Sequence, residues 1–204
     1  MSERVFLSYN YERDSARAGL LAASVPTSDA VEFAGLIGPN EWRQLERLGP
    51  TAQQQWVDTR LAATSVTAVL ISGHTERAPW VHYEIQQSRA RGHGLIGIHV
   101  HRLADPRTGL CDYKGRNPFE MNLVPGPAPA VPFSDIYPVY DWVVDGGASH
   151  LAQWIREAGD KARSSQQTAN TRRPGSQPAV HQGAFPTFRH VEEDWSPAEF
   201  IAEP

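Results

Sequence analysis

Residues 64–100 read TSVTAVLISGHTERAPWVHYEIQQSRARGHGLIGIHV. The run from Val66 to Ile71 is apolar, β-branched in part and short, the pattern of a strand buried on both faces. Ser72, Gly73, His74 and Thr75 break it. Pro79 suits a first helical position, where its missing N–H costs nothing. Beyond it Val81, Ile85 and Ser88 fall on one helical face, and Trp80, Glu84 and Gln87 on a neighbouring one. Gly92 and Gly94 end that helix, and 95–100 forms a second buried strand. The stretch is one βαβ unit, which predicts a parallel sheet with loop 72–79 at its carboxyl edge, where open α/β sheets bind ligands.

Working outward, RVFLSY at 4–9 is a compact central strand, so Ser8, Tyr9 and Asn10 leave it at the same edge as Ser72 and Gly73. Asn10 to Glu12 are read as a polar loop, with Asp14 capping a helix through Leu20 and Leu21. Residues 30–37 are a weaker strand. Pro39 introduces a helix carrying Trp42, Leu45 and Leu48; Gly49-Pro50 stops it, and Thr51 caps another that bears Trp56, Val57 and Leu61. This alternation of strands and helices predicts a doubly wound α/β sheet with helices on both faces. After residue 100 the order falters. Prolines recur at alternating positions in 124–132, which excludes helix. Residues 136–144 regain strand character, and Ser149 caps a last helix with Leu151, Trp154 and Ile155, closed by Lys161 and Arg163. Two segments are expected: a domain over 1–163, then a flexible linker and tail over 164–204 whose aromatic and acidic end is a possible docking segment.

The totals narrow the function. The chain has 204 residues, 40% of them hydrophobic, enough for a core. A net charge of −4 and a pI near 6.0 argue against a nucleic-acid partner. One cysteine, Cys111, excludes an internal disulfide framework and fits a reducing compartment. No run approaches about 18 apolar residues and the start lacks the pattern of a signal peptide, so the expectation is a cytoplasmic protein without a membrane span. His99 and His101 alternate along one strand, but no further ligands are spaced for a metal, so none is expected. SGHT at 72–75 is not a phosphate-cradling loop, since no GxGxxG or Walker pattern surrounds it.

Six motifs in order, RVFLSY, TSVTAVLIS, PWVHYEI, GLIGIHV, GRNPF and YPVYDWV, resemble the TIR-like domains of the Thoeris antiphage proteins (ThsB-type), grouped with the Toll/interleukin-1 receptor superfamily. The resemblance spans residues 5–159 and implies a flavodoxin-like fold. It further implies an NAD-consuming enzyme that cleaves the nicotinamide–ribose bond and makes a cyclic ADP-ribose-type messenger, which activates a separate effector protein after a phage-derived trigger. NAD is then substrate and no cofactor is implied. The resemblance places the catalytic acid at Glu84 and the pocket at Ser8, Tyr9, Ser72 and Gly73. Asn10, Trp80 and His99 join as candidates from their places at the carboxyl edge, Trp80 as a stacking ring. The match is weakest over 24–55, where Arg43 follows Trp42 in place of the acid common in relatives.

A carboxylate near the ribose suits this chemistry because charge builds on the sugar as nicotinamide leaves. Set against it, a helix glutamate is most often a solvated surface acid. The rival function is a non-catalytic TIR-type adaptor that self-associates or docks a partner. A receiver-like or flavin-binding domain is a third reading, and a receiver is disfavoured because no acidic cluster follows the first strand.

Overall fold

A computed structural model describes residues 3–26, 31–124 and 130–172, with side chains to 168. Five strands form one all-parallel sheet: β1 (Glu3–Ser8), β2 (Val31–Ala34), β3 (Val66–Ile71), β4 (Gly94–His99) and β7 (Val139–Asp141), in the order β2-β1-β3-β4-β7. That is the flavodoxin-like order, and its direction of winding reverses between β1 and β3. Between β4 and β7 lies a two-residue antiparallel ladder, β5 (Leu123–Val124) with β6 (Val131–Pro132). All six residues of β3 and of β4 are buried, as an apolar run enclosed on both faces requires.

Among the described residues five α-helices cover the sheet: α1 (Tyr11–Ala23), α2 (Pro39–Leu48), α3 (Pro50–Ala62), α4 (Pro79–Ala90) and α5 (Gly147–Arg172). Side chains alternate along the strands and so divide the core. Val5, Leu7, Ala68, Leu70, Ile96 and Ile98 pack with Leu21 of α1 and Leu151 and Ile155 of α5. On the other face Phe6 packs with Val57 and Leu61 of α3, while Val69, Ile71 and Leu95 pack with Val81 and Ile85 of α4. Three helices begin with proline in the first turn: α2, α3 and α4.

Several expectations are corrected. Asn10, not Asp14, caps α1: its side chain accepts from the Arg13 N–H, so the polar loop expected through Glu12 is already helix. Asp14 instead lies buried inside α1, at the spacing 11, 14, 18, 21 of the inward face. Gly49, not Thr51, precedes α3, since Pro50 itself takes the first helical position. Ser149 lies inside α5, which starts at Gly147. Residues 164–172, expected to begin a linker, continue that helix, leaving Lys161 and Arg163 well inside it. No proline or glycine interrupts this segment, and the Ser164, Ser165 and Thr168 hydroxyls bond back to carbonyls one turn earlier. The tail from 173 to 204 lies outside the described residues. No described helix is long and apolar enough to cross a membrane.

Candidate active site

Ser8 ends β1 on the face that α3 and α4 cover, and Glu84, in the second turn of α4, meets it there. The Ser8 Oγ donates to Glu84 Oε2 at 2.6 Å. The Tyr11 hydroxyl, from the first residue of α1, donates to Oε1 at 2.7 Å. Both carboxyl oxygens are therefore held, and Glu84 is 0% exposed. Burial pushes its pKa up to about 8, although both hydroxyl bonds favour the ionised form. Tyr11 is pushed well above the usual tyrosine value, first by burial and then by the charge of Glu84.

Aromatic rings close over this acid. Tyr11 stacks on Trp42 of α2, centroids 3.9 Å apart and planes 18° from parallel. Tyr9 lies 4.7 Å from Tyr11, and Trp56 meets it edge-on at 6.2 Å. Trp80 touches Trp42 edge-on at 6.0 Å and Tyr83 at 5.7 Å, so its ring packs within the cluster.

The other expected pocket residues divide. Tyr9 is buried, and its hydroxyl donates to the Ile37 carbonyl and accepts from the Ile37 N–H, at 3.3 and 3.1 Å. Asn10 serves as the α1 cap. Ser72 works on the opposite face of the sheet: its Oγ donates to Asp14 Oδ2 at 2.5 Å, while Arg17 Nη1 donates to Asp14 Oδ1 at 2.9 Å. Gly73 lies under Tyr113, where an added Cβ would come within 2.6 Å of the ring. His99 faces His101 with ring centroids 5.7 Å apart, and the Nδ1 atoms of both are buried without a partner. Burial, helped by Lys114, lowers His99 to about 4, so it is neutral at pH 7. The structure thus gathers Ser8 and Glu84, with Tyr9 and Trp80 beside them through Tyr11 and Trp42, while Ser72, Gly73 and His99 make their contacts elsewhere.

Tyr11 and Trp42 are the site residues the sequence reading missed. The inward spacing from Tyr11 through Asp14, Ala18 and Leu21 could have signalled the first, three positions after Ser8. Nothing in the sequence tells that Trp42 reaches Tyr11. Among the described residues no group of three or more His, Cys, Asp or Glu is arranged to hold a metal. A cavity of about 620 Å³ opens at the other end of the sheet, beside Gly94, Tyr137 and Trp154, and includes none of the expected residues.

Residues 6–105 match the family model described as Thoeris protein ThsB, TIR-like domain. A protein of Bacillus cereus (strain MSX-D12), named "Putative cyclic ADP-D-ribose synthase ThsB1", is 27% identical over 192 residues, which covers 76% of this chain and 100% of the relative. Ser8, Tyr11, Trp42, Trp80 and Glu84 all fall inside the matched stretch.

Proposed function

This chain carries, over residues 6–105, a TIR-like domain of the Thoeris ThsB family, and from that premise we propose that it is an NAD-processing enzyme acting through Glu84. The single observation that supports this most is a buried carboxyl held by two hydroxyls at the point where the winding of the sheet reverses. In the proposed reaction the bond between ribose C1′ and the nicotinamide nitrogen breaks. Its electron pair goes to the ring, which leaves neutral and needs no proton. Positive charge then develops on the ribose, and an ionised Glu84 stabilises it. A hydroxyl of the adenosine half attacks C1′ and passes its proton to solvent, or an adenine ring nitrogen attacks with its lone pair and the base takes up the positive charge. Either closes a cyclic ADP-ribose-type product, and water in their place gives ADP-ribose and a proton to solvent. The messenger then activates an effector protein in antiphage defence, after a phage-derived trigger.

Ser8 and Tyr11 orient the carboxyl. Burial keeps it protonated near neutrality at rest, and the cationic nicotinamide ring of NAD, once close, favours the ionised form. The test is nicotinamide release from NAD by purified protein, with phage-infected lysate as activator. Glu84→Gln abolishes release while the thermal melt stays cooperative. Equal release by variant and wild type would remove Glu84 from the mechanism.

One observation favours the adaptor reading: Glu84 and Ser8 are each 0% exposed, so no ligand reaches them in this conformation. A wild-type protein that releases no nicotinamide under any activating condition, yet binds a partner through this domain, would support that alternative.

A further inference from the structure

A site built for a dinucleotide must admit one, and what closes this site is narrow. Of the ten residues of α2, only Trp42 is buried, with Leu45 half-buried behind it. The neighbouring α3 buries Gln53, Val57 and Leu61, and α4 buries Val81, Glu84, Ile85 and Ser88. Gly35 and Gly49 bracket α2 with φ of +97° and +92°, and Gly38 precedes it as a cap that makes no side-chain bond. The single buried side chain is also the ring that lies flat on Tyr11, whose hydroxyl holds Glu84.

We propose that α2 is a lid over Glu84, hinged at its flanking glycines and latched by the stack of Trp42 on Tyr11. Its regulatory meaning rests on the NAD-processing reading; the motion itself does not. Lifting α2 withdraws Trp42 and leaves Tyr11 with Tyr9 and Trp56 as ring neighbours. Tyr11 then turns away, Oε1 loses its hydroxyl, and the carboxyl opens to a ribose. In the latched state the acid is sealed, which makes activity conditional on whatever draws α2 off the body. Glycine permits the backbone change at both ends, since φ near +90° is strained for other residues.

The test labels the full chain with a water-soluble carbodiimide and glycine ethyl ester and reads each carboxyl by mass spectrometry. In the wild type Glu84 labels at least 10-fold more slowly than the exposed Glu46 of the lid. Trp42→Ala raises Glu84 labelling at least 10-fold and raises nicotinamide release without activator; Trp42→Phe, which keeps a stacking ring, falls between. Unchanged Glu84 labelling in a folded Trp42→Ala protein would overturn the lid, whatever the activity does. Increased labelling with no NAD cleaved by any variant would uphold the lid and sink the NAD reading. Should Trp42→Ala fail to fold, hydrogen exchange on the wild type decides: the lid requires α2 amides to exchange at least 10-fold faster than those of α3, and equal rates would overturn it.

Discussion

Two helices meet at Glu84 and they are held differently. α4 supplies the acid and is embedded, with four buried residues spaced along one face and Ser88 bonded both to Thr67 of β3 and to the Glu84 carbonyl. α2 buries one ring, Trp42, which lies on Tyr11 and meets Trp56 and Trp80 edge-on, with Leu45 half-buried behind it. Both begin with proline, and both carry an aromatic residue in the first turn, so their local chemistry is alike. Tertiary burial separates them: most helical stability in proteins comes from the packed face rather than from propensity. The contrast sets a carboxyl held on a deeply packed helix beside a helix with a single buried side chain, the kind of element that local opening releases first.

The largest effect should therefore come from α4. Ile85 is fully buried against Val69, Ile71 and Phe119, and Ile85→Ala is expected to cost about 2–5 kcal/mol. Leu45→Ala, on the half-buried edge of α2, should cost less than about 1 kcal/mol. Urea unfolding midpoints at unchanged slope check both. Comparable losses at the two positions would break the comparison.

A smaller effect, a few kcal/mol at most, comes from the charge state of Glu84. Its pKa of about 8 in the folded protein lies above the ordinary value of 4.5, so between those limits the folded state binds more protons than the unfolded one. The stabilising contribution is fully present below about pH 4.5 and is lost as pH rises through about 8. Glu84→Gln does not titrate. Relative to the wild type, the variant should gain stability steadily as pH rises across that window, in melts taken at fixed ionic strength. A stability difference that does not change with pH would mean that the carboxyl is less enclosed than the α4 packing implies.

The sequence announced the embedded half far better than the cover. The strands at 66–71 and 94–99, enclosed on both faces, carry a continuous apolar signal that periodicity reads directly. Glu84 itself was legible only through the resemblance, because a buried acid and a solvated one have the same spacing. Tyr11 was lost to a polar-looking neighbourhood, Asn10 and Glu12, although it is the first inward position of α1. Ser72 was read only as lying at the carboxyl edge, and the register decides its face. Ser8 stands opposite Val69, so Ser8 shares a face with Val69 and Ile71, and the next residue, Ser72, turns to the other side, where its hydroxyl meets Asp14. The last turns of α5 were misread because serine and glutamine suggest a linker, whereas the Ser164 hydroxyl bonds to the Asp160 carbonyl one turn earlier and the Gln166 amide donates to the Gly92 carbonyl beyond α4.

The finest probe of the two helices is Tyr9. It stands at the end of β1, in the embedded half, yet its hydroxyl makes two bonds to the backbone of Ile37, in the connection that leads into α2. Tyr9→Phe keeps the ring beside Tyr11 and removes only that staple. Ile37 is buried, so its N–H and carbonyl then lack this partner, a cost of about 1–2 kcal/mol. If α2 is held separately from the body, the loss appears locally: amide exchange quickens across 37–48 while α4 exchange changes only in step with global stability. Uniform acceleration in both helices would show that cover and core open as one unit, and the distinction between them would fail.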